Sequence, residues 1–102
     1  MRIKTHENDD QVRTEIWGEI DHISAAQLAK KLDEIMNTCS QSEICLDLKN
    51  MTLMDSSGIG VLIGRYKRMK RRGIRLTVCN VNITVDRLFR LSGLYQIIKK
   101  VG

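Results

Sequence analysis

Residues Glu43–Gly73 read EICLDLKNMTLMDSSGIGVLIGRYKRMKRRG, and the two ends of this stretch carry different periodicities. Glu43–Leu48 alternates with period two, the pattern of a strand with one buried face. Ile59, Leu62, Tyr66 and Met69 step by three, four and three, a single apolar stripe that predicts a helix over about 57–72, with Ser56 just before it and Gly73 at its end. Arg75–Cys79 (RLTVC) returns to a strand pattern. A strand, a helix and a second strand in that order call for a parallel pair joined by a crossover. Between the first strand and the helix, Met51–Gly58 is expected to be a short connection holding Asp55, Ser56 and Ser57.

Working outward, Met1–His6 and Gln11–Trp17 alternate loosely around the polar turn Glu7–Asp10, which predicts two paired strands. Gly18–His22 reads as a loop. Ser24 is the expected N-cap of a helix over 24–37, with Gln27 three residues on as in a capping box. Ala25, Leu28, Leu32, Ile35 and Met36 supply its buried stripe. Downstream, Asn82 or Thr84 can cap a last helix over 83–92 that carries Val85, Leu88, Phe89 and Leu91 and closes at Gly93. Tyr95–Ile98 is expected to be a terminal strand. The predicted order is ββαβαβαβ in a single α/β domain spanning 1–102, a small mixed sheet packed by helices, with Leu46, Leu48, Leu62, Val78, Leu88 and Phe89 in its core.

The chain has 102 residues, 42% hydrophobic and 28% charged, a balance that supports one core and argues against disorder. No apolar run approaches the roughly 20 residues of a membrane span, and Glu7, Asp9 and Asp10 interrupt any signal-peptide pattern. A cytosolic chain with no membrane contact is the expectation. Cys39, Cys45 and Cys79 lack metal-ligand spacing and an even count, so buried reduced thiols are expected, with no metal site and no cofactor. Charge is lopsided: residues 1–51 carry six basic and ten acidic side chains, residues 52–102 eleven and two. The asymmetry fits an acidic protein partner or nucleic acid.

Asp55-Ser56-Ser57-Gly58-Ile59-Gly60 invites a nucleotide reading, but Ile63 stands where a dinucleotide fingerprint needs glycine, and no Gly-Lys-Ser/Thr follows. Nucleophilic catalysis at Ser56 would need His6 or His22 as base, and no Gly-x-Ser-x-Gly elbow is present. Asp21 and Asp55 could imitate an acidic pair, although single loop carboxylates usually cap or face water. These patterns do not point to an enzyme. Gly58, Gly60 and Gly64 permit close approach, either of the helix to the sheet or of a partner to the helix. The basic run Arg65–Arg75 is read mainly as a solvated face. Within it, Arg68, Arg71 and Arg72 are expected to steer an acidic partner. Nucleic-acid binding is the weaker reading, since the base-stacking aromatics it favours are not evident. What remains is a helix start with two hydroxyls beside an aspartate, where unpaired amides and the helix dipole favour an added anion.

Met54–Leu62 (MDSSGIGVL) resembles the signature of the anti-sigma-factor antagonists of the STAS family. Gly64-Arg65-Tyr66-Lys67, Val78-Cys79, Arg87-Leu88-Phe89, Leu91–Leu94 and Gly18–Asp21 followed by Ala25 extend the resemblance over about residues 10–100. The Gly-Arg-Tyr-Lys and Val-Cys details look most like the sporulation-type antagonists. Ile83 and Ile74 depart from the family's usual proline and glycine. The resemblance implies a non-enzymatic, partner-switching protein whose unphosphorylated form binds a GHKL-type serine kinase that doubles as an anti-sigma factor. It implies Ser56 as the phosphoacceptor, a PP2C-type phosphatase that removes the mark, and a partner surface of Asp21, Asp55, Ser56, Ser57, Gly58 and Gly60. A non-switching STAS scaffold in a signalling or transporter-associated complex is the alternative within the family, and a basic nucleic-acid module the alternative outside it.

Overall fold

A computed structural model describes every residue from Met1 to Gly102. In chain order it contains β1 (Arg2–Glu7), β2 (Gln11–Ile20), α1 (His22–Thr38), β3 (Glu43–Asp47), β4 (Met51–Met54), α2 (Ser56–Arg71), β5 (Arg75–Cys79), α3 (Ile83–Leu91), a 3-10 turn (Leu94–Gln96) and β6 (Lys99–Lys100). One sheet runs β1-β2-β3-β5-β6, with β4 attached to β2 alone. Only β1 is antiparallel to its neighbour. No helix is long and apolar enough to cross a membrane.

Strand β2 serves two partners in succession. Gln11–Glu15 pairs with β3, and Gly18–Ile20 pairs with β4. The change of partner coincides with a register shift after Gly18, whose φ of +95° suits glycine and strains other residues. Beyond it, Ile20 lies opposite Met54, so α1 and α2 leave the sheet from adjacent strand ends.

Alternation divides the central strands. Ile44, Leu46, Leu76 and Val78 join Leu28 and Leu32 of α1, Leu62 and Met69 of α2, and Phe89 of α3 in one buried apolar cluster. Each such side chain contributes on the order of 1.5–3 kcal/mol through removal from water. The other parity places Cys45, Asp47, Thr77 and Cys79 on the opposite face, buried beneath polar pairs. There Arg13 donates Nη2 to Asp47 Oδ2 at 2.8 Å, and the Thr77 hydroxyl donates to Glu43 at 2.7 Å. Cys45 and Cys79 bring their sulfurs within 3.5 Å of each other, and burial pushes the Cys79 thiol up to about 12.

Five expectations change. Met51–Met54 is a strand, not part of a loop; its apolar residues do not alternate cleanly, and its partner is the far half of β2. The α1 cap is Asp21, whose carboxylate accepts from the Ile23 and Ser24 amides while Ser24 Oγ accepts from the Asp21 amide at 2.8 Å. Ser24 is therefore the third helical residue, and Gln27 has no part in the box. Ser56 lies inside α2 as its first residue, with Asp55 as the cap. In α3 only Val85 and Phe89 are buried; Leu88 is half-buried and Leu91 faces water. Finally, Tyr95–Ile98 is not a strand. Gly93 adopts a left-handed φ of +79°, and the Ile98 amide then bonds back to the Leu94 carbonyl at 2.8 Å. Leu94 and Ile98 are thereby buried four residues apart, and the last strand begins only at Lys99.

Two measurements check this arrangement. In native protein a bulky aromatic disulfide reagent should modify the half-exposed Cys39 while Cys45 and Cys79 react only after unfolding; rapid native labelling of both would contradict their burial. Burial alone would raise the Asp47 carboxyl, but hydrogen bonds from Asn80, the Lys49 amide and Arg13 outweigh it and hold it below its ordinary value. A depressed folded pKa gives stability that is complete above the unfolded value of about 3.9 and is lost as pH falls through the folded one. Asp47→Asn should cost about 2 kcal/mol at neutral pH by urea denaturation, and the gap from wild type should close as the pH falls below the unfolded carboxyl value and through the lowered folded one. A gap independent of pH would refute the ionic account.

Candidate functional site

Two helix starts lie side by side at the end of the sheet where β2 and β4 stop. The Asp55 amide donates to the Ile20 carbonyl at 3.0 Å, which fixes the start of α2 against the strand that leads into α1. Asp55 Oδ1 accepts from the Ser57 amide at 2.8 Å. Asp21 is committed in the same way to α1, and the Ser24 amide foremost, then its hydroxyl, holds the Asp21 carboxyl below its usual value. Both aspartates are exposed, and each carboxylate is hydrogen-bonded to its own helix and not to the other.

Ser56 is exposed, Ser57 half-buried, and neither hydroxyl is used in a hydrogen bond of the fold. At the first position of a sixteen-residue helix, Ser56 lies where free amides and the dipole favour an anion. There is no cation on α2 before Arg65. Negative charge added at Ser56 therefore meets helix amides but no neutralising side chain from its own helix. His22 begins α1 and His6 lies 3.6 Å from Glu15 on β1; neither hydrogen-bonds to Ser56.

The glycines divide by role. A Cβ on Gly58 would lie 2.5 Å from Met54 Cγ and 3.0 Å from Ile20 Cγ2, so this residue lets α2 sit tightly on β4 and β2. Gly58 is buried and supports the surface from beneath. A Cβ on Gly60 would meet nothing within 4 Å, and Gly60 is exposed. Interior packing does not explain its lack of a side chain. Asp21, Asp55 and Ser56 are thus exposed at adjacent helix starts, Gly60 is exposed one turn further along α2, Ser57 is half-buried and Gly58 is buried.

Three exposed aliphatic side chains outside the motifs also lie at this end of the sheet. Ile23 is 72% exposed, Leu53 50% and Ile83 70%, and all three belong to segments at this end of the sheet. Ile23 follows the α1 cap, Leu53 precedes Asp55, and Ile83 follows Asn82, whose side-chain amide donates to the Met51 carbonyl at 2.7 Å. A signal was present: Ile23 and Ile83 fall off the buried stripes of their helices, where an aliphatic side chain has no interior role.

Comparison with known proteins matches residues 2–101 to the family described as the STAS domain. An anti-sigma F factor antagonist of Paenibacillus polymyxa is 42% identical over 80 residues, which cover 78% of this chain and 68% of the relative. An anti-sigma-B factor antagonist of Bacillus subtilis (strain 168) is 41% identical over 96 residues, covering 94% and 84%. Among solved structures, the antagonist SpoIIAA in its unphosphorylated form superposes with a TM-score of 0.82 at 24% identity, over 99% of this chain and 89% of that one. SpoIIAA has also been solved in its phosphorylated form, with a TM-score of 0.73 at 22% identity over 99% of this chain and 92% of that one.

Substitution at the two glycines separates interior from surface. Gly58→Ala should destabilise the fold by about 1 kcal/mol or more through overpacking against Met54 and Ile20. Gly60→Ala should leave the fold unharmed or stabilise it by up to about 1 kcal/mol through helix propensity. Thermal denaturation of the pair decides the point, and an equal loss in both would refute the division.

Proposed function

This chain belongs to the STAS domain family, and from that premise we propose that it is an anti-sigma factor antagonist, a regulator that acts by binding and not by catalysis. Its unphosphorylated form binds an anti-sigma factor through the surface around Ser56 and so releases the sigma factor that the anti-sigma factor held. The partner is a GHKL-type protein that is also a serine kinase. That kinase transfers the γ-phosphoryl group of ATP to Ser56 Oγ: the new O–P bond replaces the bond to ADP, and the hydroxyl proton leaves. A PP2C-type phosphatase hydrolyses the ester and restores the binding form. Such an exchange belongs to the cytoplasm, where transcription and ATP are found.

The observation that carries this reading is the exposed Ser56 hydroxyl, unused by the fold, at a helix start with no cation on its own helix before Arg65. Relatives named as antagonists of anti-sigma factors, at 42% and 41% identity, support the same assignment. The mechanism needs no refolding. A phosphoserine adds about −1.5 to −2 charges, and the helix start tolerates them in the free protein. Against a docked partner the same charge must be desolvated without a matching cation. A penalty of even about 3 kcal/mol lowers affinity roughly a hundredfold. Exposed Ile23, Leu53 and Ile83 supply apolar contact area around the switch, and Gly60 allows close approach.

Incubation with a candidate kinase and ATP, followed by mass spectrometry, tests the assignment. Ser56→Ala should fold, bind the anti-sigma factor and accept no phosphate. Ser56→Asp places a carboxylate in the first helical turn, so it should fold equally well yet bind at least about tenfold more weakly. Ser57→Ala should remain a good phosphate acceptor. Phosphate found on Ser57 with Ser56 unmodified would overturn the assignment.

A further inference from the structure

The basic run of α2 does not lie uniformly in water. Arg68, Arg71 and Arg72 converge with Asp33, Met36 and Asn37 of α1 around an open cavity of about 430 Å³ at the C-terminal ends of both helices. Asp33 is held by Arg65 at 2.9 Å and by Arg68 at 3.2 Å; the Arg65 bond foremost keeps its carboxyl below the ordinary range. Arg72 donates to Asn37 Oδ1 at 2.6 Å. Arg71 is exposed and has no acceptor. Three guanidinium groups thus line the cavity against one carboxylate, and each carries five donors. Compensation of the helix dipole accounts for basic residues in the last turn of α2, but not for the reach of Arg68 and Arg72 across to Asp33 and Asn37 of α1.

We propose that this cleft is a second docking site, built to take an acidic segment of a protein partner and separate from the Ser56 surface. Its chemistry is displayed by Asp33 itself, a carboxylate already gripped by arginines from the neighbouring helix. Met36 offers an apolar wall to the methylene groups of a bound glutamate or aspartate, and the unengaged N–H groups of Arg71 and Arg72 offer the fork that pairs with carboxylates. Duplex DNA fits less well: the cleft is lined by six residues from two helix ends and offers no extended basic track for a phosphate backbone to follow. Arg71 lies fifteen residues along α2 from Ser56, about 22 Å at the helical rise. Phosphorylation of Ser56 therefore leaves the cleft's charge unchanged, and an acidic partner can stay attached here after release from the switch surface. The proposal rests on the antagonist reading only for the identity of that partner. It replaces steering by Arg68, Arg71 and Arg72 with direct contact.

A fluorescein-labelled octaglutamate peptide serves as the probe. It should bind the wild-type chain saturably at low salt and shift amide resonances of residues 33–38 and 68–73, not those of 55–60. Arg71→Glu with Arg72→Glu should weaken binding at least about tenfold. Lys4→Glu with Lys99→Glu makes the same change in net charge away from the cleft and should cost no more than about twofold. Equal losses in the two double variants, unsaturable binding, or tighter binding of short duplex DNA at the same ionic strength would each overturn the proposal. No arm of the assay uses an anti-sigma factor or Ser56, so its failure leaves the switch reading standing, and failure of the switch leaves a positive peptide result standing.

Discussion

The hydrogen bond from the Asp55 amide to the Ile20 carbonyl ties together everything at the functional end of the molecule. It closes the pairing of β4 with the second half of β2, and it sets the start of α2 beside the strand end from which α1 departs. A strand that kept one partner throughout could not do this. Gly18 supplies the break, because its left-handed φ lets β2 shift register and turn from β3 to β4. The two aspartate caps, the exposed serine and the exposed aliphatic side chains are brought together by that change of partner.

Packing and the proposed switch are kept apart within a few residues. Gly58 faces the interior and fills its missing volume with Met54 and Ile20, whereas Ser56 and Gly60 face water. The helix start is held from below by tight contact and from the side by Asp55, so its outer face is free of structural duties. That separation is what allows a charge to be added or removed there at little cost to the fold. The Asp47 network serves the other layer of the sheet in a different way, satisfying a buried carboxylate with Arg13, Asn80 and the Lys49 amide.

How much was legible follows from how local each determinant is. The strand Glu43–Asp47, the helix stripe from Ile59 to Met69 and the strand Arg75–Cys79 are written in their own periodicities, and of the two candidate caps of α3, Asn82 and Thr84, it is Asn82 that caps it. Strand β4 was not legible, because four residues without clean alternation become a strand only through a partner distant in sequence. The exchange of roles between Asp21 and Ser24 escaped for a narrower reason: both are capping residues three apart, and sequence does not say which leads. Tyr95–Ile98 forms no strand, and its sequence does not say so, because an apolar cluster this short suits a strand and a turn equally. At the site, the serine motif and its neighbouring aspartate were readable, but Ile23, Leu53 and Ile83 mattered through exposure, a property that only the assembled sheet end reveals.

The double use of β2 also has a meaning in time. Gly18 and Met51 meet across roughly thirty residues of chain, and β4 has no other strand to hold it once that contact opens. Loop-closure entropy opposes the contact until the longer β2–β3 ladder has brought the two segments near each other. The Ser56 surface therefore exists in its final shape only once β4 has paired with the far half of β2. A chain that carries the right motif without that pairing does not present the right shape, so recognition at the proposed Ser56 surface would report on a finished fold as well as on a phosphate.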